Sequence, residues 1–245
     1  SNKLLLKSEE KLYLYDLTAR KTLAELVLPA GVRYVVWSSN FHYCAILSKQ
    51  NITLVDKNLK YLASLHEHIR VKSGVWDENG AFVYSTLSHV KYCLQNGDSG
   101  IILSLEQPIY IAKVNKGKMF YMDREGQPQK KDLNVHEYMF KIALQKGDFH
   151  GVQHHIRSGR ICGSVVIGYL KKKGYPEVAL HFVEDPLTRF NLALDYGHIE
   201  EAMKAAQQVN EKKVWQRLGS EALRQGNQQI VEMVYQRTMD FDALS

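Results

Sequence analysis

Residues 132–150 read DLNVHEYMFKIALQKGDFH, and the hydrophobic period changes across them. Upstream, apolar residues tend to alternate with polar ones. Downstream, they recur every three or four residues. A period of two belongs to strands and one of 3.6 to helices. The change predicts a β region over residues 1–133 and an α region over residues 134–245. Within the stretch, Asn134 is placed to cap a helix, with Glu137 three residues on to complete a capping box. Val135, Tyr138, Met139, Ile142 and Ala143 form a wide apolar face, which Phe140 and Leu144 widen further. Such a helix is expected to be covered on more than one side. Gly147 is the expected stop, because glycine takes the left-handed conformation that ends helices at little cost.

In the β region, three segments share one form, a mostly apolar run followed by Asp: Leu12–Asp16, Ile52–Asp56 and Met119–Asp123. Asp16 and Asp56 are 40 residues apart, and Trp37 and Trp76 repeat in the same phase at a distance of 39. A strand-like run follows each Trp, at 43–47 and 82–87. Gln95-Asn96-Gly97-Asp98 reads as a hairpin turn whose two central residues need positive φ. A period near 40 residues with about four short strands is the pattern of β-propeller blades. The region holds about three blades, whereas closed propellers use about 4–8. It therefore reads as the C-terminal blades of a WD40-like propeller from a longer chain, or as an open stack of sheets. The tryptophans are expected as core aromatics between blades. The Asp residues are expected to form turns by bonding nearby amides, without a catalytic role.

The α region repeats a different motif. Ala143-Leu144 precede Gly147-Asp148, Ala193-Leu194 precede Gly197-His198, and Ala222-Leu223 precede Gly226-Asn227, each across two residues. Leu170 and Gly174 make a looser copy. The glycines are 27, 23 and 29 residues apart, the length of an antiparallel helix pair. In each copy a helix ends on Gly, and Asp148 or Asn227 can cap the next one. Pro176 and Pro186 suit first-turn positions. Ile199, Ala202, Met203 and Ala206 share one face, as do Ile230, Met233 and Val234, and Ala202, Ala205 and Ala206 permit close packing. The pattern predicts TPR-like helical hairpins stacked into an α-solenoid. Phe241–Ser245 supply no polar capping repeat, which suggests truncation.

At 245 residues, 45% hydrophobic and 24% charged, the chain can form two modest folded domains. No apolar run approaches the ~20 residues of a membrane span. The opening SNKLLLKSEEKLYLYD reads as the middle of a fold and not as a signal peptide. Cys44, Cys93 and Cys162 form no CxxC pair, which suits a reducing compartment without a disulfide framework. The net charge of +6 permits acidic partners, membrane surfaces or nucleic acid without choosing among them. No basic stripe interleaved with aromatics supports nucleic-acid binding. Lys171, Lys172 and Lys173 suit a helix C-terminus, with an acidic partner or lipid headgroup as the other reading.

GxxxxGK[ST], GxGxxG and GxSxG motifs are absent from the sequence. His150 and His154 lie at helical spacing beside His155, but no Cys or carboxylate partner accompanies them, so a solvated helix face is expected. His66-Glu67-His68 would alternate faces on a strand. No catalytic, cofactor-binding or metal residue is assigned, and a non-enzymatic protein without cofactor or small-molecule substrate is expected.

Four strings go further: residues 66–77 (HEHIRVKSGVWD), 91–102 (KYCLQNGDSGII), 174–185 (GYPEVALHFVED) and 221–227 (EALRQGN). They closely resemble the alpha subunits of the COPI coatomer, and the resemblance runs along nearly the whole chain; Leu103 and His198 depart from it. It implies the last blades of the subunit's second propeller followed by the first solenoid repeats. It also implies a structural coat subunit in Golgi-to-ER and intra-Golgi transport, cytoplasmic and peripheral on Golgi membranes and vesicles. Its partners would be other coatomer subunits, chiefly the beta-prime subunit through the solenoid. Dilysine-cargo recognition is associated with the family's first propeller, so no cargo-binding residue is carried over. Two other readings are a nuclear-pore or intraflagellar scaffold of the same architecture and a propeller-based ligand-binding protein.

Overall fold

The structure is a computed structural model that describes residues 2–28, 31–158, 161, 163–183 and 185–238. The upstream alternation becomes four antiparallel sheets. The first holds β1 (Lys3–Lys7), β2 (Lys11–Asp16) and β3 (Lys21–Val27). The second holds β4 (Tyr34–Trp37), β5 (Tyr43–Leu47), β6 (Asn51–Asp56) and β7 (Tyr61–His66). The third holds β8 (Ser73–Trp76), β9 (Phe82–Ser85), β10 (His89–Cys93) and β11 (Ser99–Ser104), and the last holds β12 (Tyr110–Asn115), β13 (Lys118–Met122) and β14 (Pro128–Asp132). Each is a meander in chain order. Two four-stranded sheets are thus flanked by two three-stranded ones. β4 packs beside β8 and β8 beside β12, so successive sheets meet along their first strands, as propeller blades do.

Burial on both faces explains why β5 and β6 are nearly continuous apolar runs. Cys44, Ile46 and Val55 pack with Leu12 and Leu14, whereas Ala45, Leu47, Ile52 and Leu54 pack with Trp76, Phe82 and Tyr84. The Trp76 indole N–H donates to the Val36 carbonyl at 2.9 Å, so the repeated tryptophan ties one sheet to the next. The Asp residues build turns as expected. Oδ1 of Asp16 accepts from the Thr18 and Ala19 amides, that of Asp56 from Asn58 and Lys60, and that of Asp123 from Glu125 and Gln127. The turn at residues 95–98 differs from expectation in one respect. Gly97 has φ +84°, but Asn96 is not left-handed. Its side chain instead accepts from the Asp98 amide, which closes the turn with one positive φ.

The downstream period becomes α1 (His136–Gln145), α2 (Phe149–Ser158), α3 (Gly163–Lys173), α4 (Pro176–Leu180), α5 (Pro186–Asp195), α6 (Ile199–Val209), α7 (Lys212–Arg224) and α8 (Gln228–Thr238). They pack pairwise in chain order. Gly147, Gly174, Gly197 and Gly226, all at positive φ, lie between the two helices of each pair. The amide after each glycine bonds a carbonyl five residues back: Asp148 to Ala143, Tyr175 to Leu170, His198 to Ala193 and Asn227 to Ala222. The glycine amide bonds the carbonyl three back, completing a Schellman turn. The repeated Ala and its looser Leu counterpart are therefore the residues whose carbonyls close the turn. Asp148 and Asn227 then cap α2 and α8 by accepting from the Gly151 and Ile230 amides. His198 makes no such cap bond. Pro176 and Pro186 occupy first turns, and Asp185 caps α5 through the Thr188 amide at 2.7 Å.

The predicted capping box does not form. Val135 is the N-cap of α1 and makes no side-chain cap bond. Asn134 Oδ1 accepts from the His136 amide instead, and Glu137 is engaged elsewhere. Strand gives way to helix between Asp132 and His136, but the compact units run over residues 1–159 and 160–245, so α1 and α2 belong with the sheets. Cys44 and Cys93 are buried free thiols, each pushed up to about 12 by burial. Cys162 and the 241–245 stretch lie outside the described residues.

Candidate functional site

The first helix is fastened to the third sheet by an apolar contact threaded with hydroxyls. Tyr138 and Ile142 of α1 pack on Ala81, Tyr92 and Leu94. Every side chain in this cluster is buried, and the Tyr92 and Tyr138 rings lie 5.3 Å apart. The Tyr138 hydroxyl donates to Asp77 at 3.1 Å, and the Tyr92 hydroxyl donates to Glu137 at 2.8 Å. Lys141 Nζ donates to the Tyr92 hydroxyl at 2.6 Å and reaches Glu137 at 3.2 Å. The Lys141 side chain keeps only 9% of its exposure. Burial first, then the Asp77 carboxylate, raises the Tyr138 pKa, so that hydroxyl stays a donor. Gly100 makes room for the arrangement, since a Cβ there would sit 2.7 Å from the Tyr92 ring.

A second polar group lies within the sheets. Lys91 of β10 reaches both carboxylate oxygens of Glu67, at 3.0 and 2.8 Å, and the Tyr84 hydroxyl donates to the same carboxylate at 2.6 Å. Burial and the Glu67 carboxylate raise the Tyr84 pKa, so this phenol also remains protonated. Neither group aligns a nucleophile with a base. Both pin one chain segment against another, the best-attested use of buried polar groups.

Two family models match the chain: the COPA/B second beta-propeller over residues 2–123 and the COPA/B TPR domain over residues 140–245. The chain belongs to the COPA/B coatomer family. Coatomer subunit alpha-2 of Arabidopsis thaliana is 52% identical over 242 residues, covering 99% of this chain and 20% of the relative. Coatomer subunit alpha of Dictyostelium discoideum is 46% identical over 242 residues, with the same two coverages. That of Saccharomyces cerevisiae is 46% identical over 233 residues, covering 95% of this chain and 19% of the relative. The chain thus spans about a fifth of the length of the coatomer alpha subunits it matches. The observed order, propeller-like sheets and then helical hairpins, agrees with the order of the two matched domains.

Other residues of this coatomer segment take plainer places. His155 of α2 turns toward His136 of α1, with their Nδ1 atoms 3.2 Å apart, while His150 and His154 are exposed. Among the described residues no group of three or more His, Cys, Asp or Glu is arranged to hold a metal ion. Lys171–Lys173 form the last turn of α3, with Lys171 over the Tyr196 ring and Lys173 over the Tyr169 ring. Glu67 lies inward between His66 and His68, whose rings meet edge to face at 5.7 Å. Sequence reading missed both polar groups. A signal was present: Lys91 stands among Val90, Tyr92, Cys93 and Leu94, and Tyr84 and Tyr92 carry polar tips at buried strand positions.

Proposed function

We propose that this segment is a structural piece of the COPI vesicle coat, with the blades over 1–133 as a platform and the hairpins from 134 onward as an assembly arm. The observation that carries the reading is the fastening of α1 to the third sheet through Tyr92, Glu137, Lys141, Tyr138 and Asp77. A fastening of this kind holds the first hairpin firmly against the sheets, as a structural coat piece needs and a flexible linker would not supply. In this reading the protein works through shape and interfaces and catalyses nothing. It acts on the cytoplasmic face of Golgi membranes and COPI vesicles, in Golgi-to-ER and intra-Golgi transport. Its partners are other coatomer subunits, chiefly beta-prime through the helical hairpins. The family match supports the coat, and the hairpin stack supports the choice of the arm as the assembly surface.

The test is a pull-down from cytosol with the full-length subunit, compared with one lacking everything after Asn134. Recovery of the coatomer subunits by the full-length chain and their loss on truncation is the expected result. Recovery by both would move the main interface to the propellers. Recovery of no coat subunit by the full-length chain would overturn the reading.

A further inference from the structure

Two open grooves adjoin along one rim of the sheets, where the chain enters β4 and β8 and where the β1–β2 and β5–β6 turns lie. The first, about 300 Å³, is lined by Arg33, Tyr34, Arg70, Lys72 and Tyr110 among others. The second, about 610 Å³, is lined by Lys7, Glu9, Arg33 and Lys49 among others. Arg33 borders both, so the two form one track. Its cations are placed by the repeat. Arg33 immediately precedes β4 and Lys72 immediately precedes β8, 39 residues apart, the same spacing as Trp37 and Trp76. The second and third sheets therefore each present a cation at the same inner corner.

The charge is unbalanced. Across both grooves the lining holds Lys7, Arg33, Lys49, Arg70 and Lys72 against the single carboxylate of Glu9. Among the described residues none of these five joins an ion pair. Elsewhere Lys11, Lys91, Lys141, Lys204 and Arg224 each have a carboxylate partner. Beside the cations stand aromatic walls, with Arg33 over the Tyr34 ring at 5.5 Å and Tyr110 half exposed. Guanidinium groups match carboxylates in bidentate geometry, and an exposed tyrosine accepts an apolar side chain.

We propose that this rim binds an extended acidic peptide of a partner protein, its carboxylates on Arg33, Arg70 and Lys72 and an apolar side chain against Tyr110. The continuity of the two grooves favours a linear ligand. A compact anion would fill one groove and leave the Lys7–Lys49 end without a role. This goes beyond the scaffold reading, because it assigns the platform a recognition task separate from assembly by the helical arm.

The experiment uses the full-length subunit and a fluorescein-labelled peptide, Glu-Glu-Phe-Asp-Glu-Leu-Glu-Glu, read by fluorescence anisotropy. Binding should weaken as salt rises and fall roughly tenfold or more in an Arg33→Glu, Lys72→Glu double variant. Lys130→Glu on β14, which lines neither groove, should leave it unchanged. A peptide with Lys at every acidic position should prefer the double variant over the wild type. If the double variant fails to fold, Arg33→Ala and Lys72→Ala singly, each with an unchanged far-UV spectrum, should each weaken binding. Equal binding by wild type and folded variants would overturn the proposal. So would failure of the peptide to bind while phosphatidylserine vesicles bind in an Arg33- and Lys72-dependent way.

Discussion

The first helical hairpin and the last two share a turn and differ in what their helices bury. In all of them an Ala carbonyl closes a Schellman turn around a left-handed Gly. Yet α1 buries Tyr138, Phe140 and Lys141, whereas α6 buries Ile199, Ala202, Ala205 and Ala206. In α7, Gly219 lies so near Val234 that an added Cβ would be 2.9 Å from its Cγ1. Small residues let helices approach closely and stack in a repeating way. Large aromatics with hydroxyls, met by Asp77 and Glu137, hold one helix at one place on one sheet. The difference teaches that a local turn motif makes a hairpin, while the place where the hairpin docks is written in side chains far apart in sequence.

The largest effect that could break this comparison comes from Tyr138→Ala. Tyr138 is fully buried against Ala81, Tyr92 and Leu94, and truncation should cost about 3–5 kcal/mol. Amide exchange should then speed up in both α1 and the third sheet; faster exchange confined to α1 and α2 would mean that the joint does not couple them. Next is Lys141→Ala, which strips the Tyr92 hydroxyl and Glu137 of a charged donor and should cost about 1.5–3 kcal/mol. The contrast is Arg224→Ala on α7. Its pair with Glu221 is solvent-exposed, so urea unfolding should move by less than about 1 kcal/mol. Equal losses at the two sites would erase the distinction between a buried key and a surface pair. Gly147→Ala and Gly226→Ala come third. Nothing lies within 4 Å of an added Cβ at either site, so backbone strain at φ +71° and +74° acts alone. Each should cost about 1–2 kcal/mol, and clearly unequal costs would show that the shared turn is not equivalent.

The fold was legible wherever a local rule governed it. The 39- and 40-residue spacings of Trp and Asp mark the sheets, and the Ala-Leu-x-x-Gly copies mark the hairpins. The joint was not legible, because its members come from three separate segments: Asp77, Tyr92 and residues 137–141. Even Glu137, singled out as half of a capping box, was read with its local partner Asn134. The lysine and tyrosine brought close by the fold engage it instead. The basic rim was hidden for the same reason. Arg33 and Lys72 are ordinary surface residues until the repeat stacks their corners together.

The smallest predicted effect concerns the two imidazoles between α1 and α2. Nδ1 of His136 and of His155 lie 3.2 Å apart, so one shared proton satisfies both and two cannot be accommodated there. Burial lowers the His155 pKa, and His136 and His154 lower it further, with Asp148 opposing. The unfolded chain therefore binds more protons here once pH falls below the ordinary histidine value of about 6.5, and stability falls with pH across that window. It is fully present above that value and is lost progressively toward the lowered one. Amide protection factors in α1 and α2, taken relative to the intrinsic base-catalysed rate, should fall in the wild type as pH drops below about 6.5, and His155→Gln should flatten the response. The effect should be small because both rings keep contact with solvent. A slope that survives the substitution would place the acid sensitivity outside this pair of imidazoles, and the contact between the two rings would then carry no part of it.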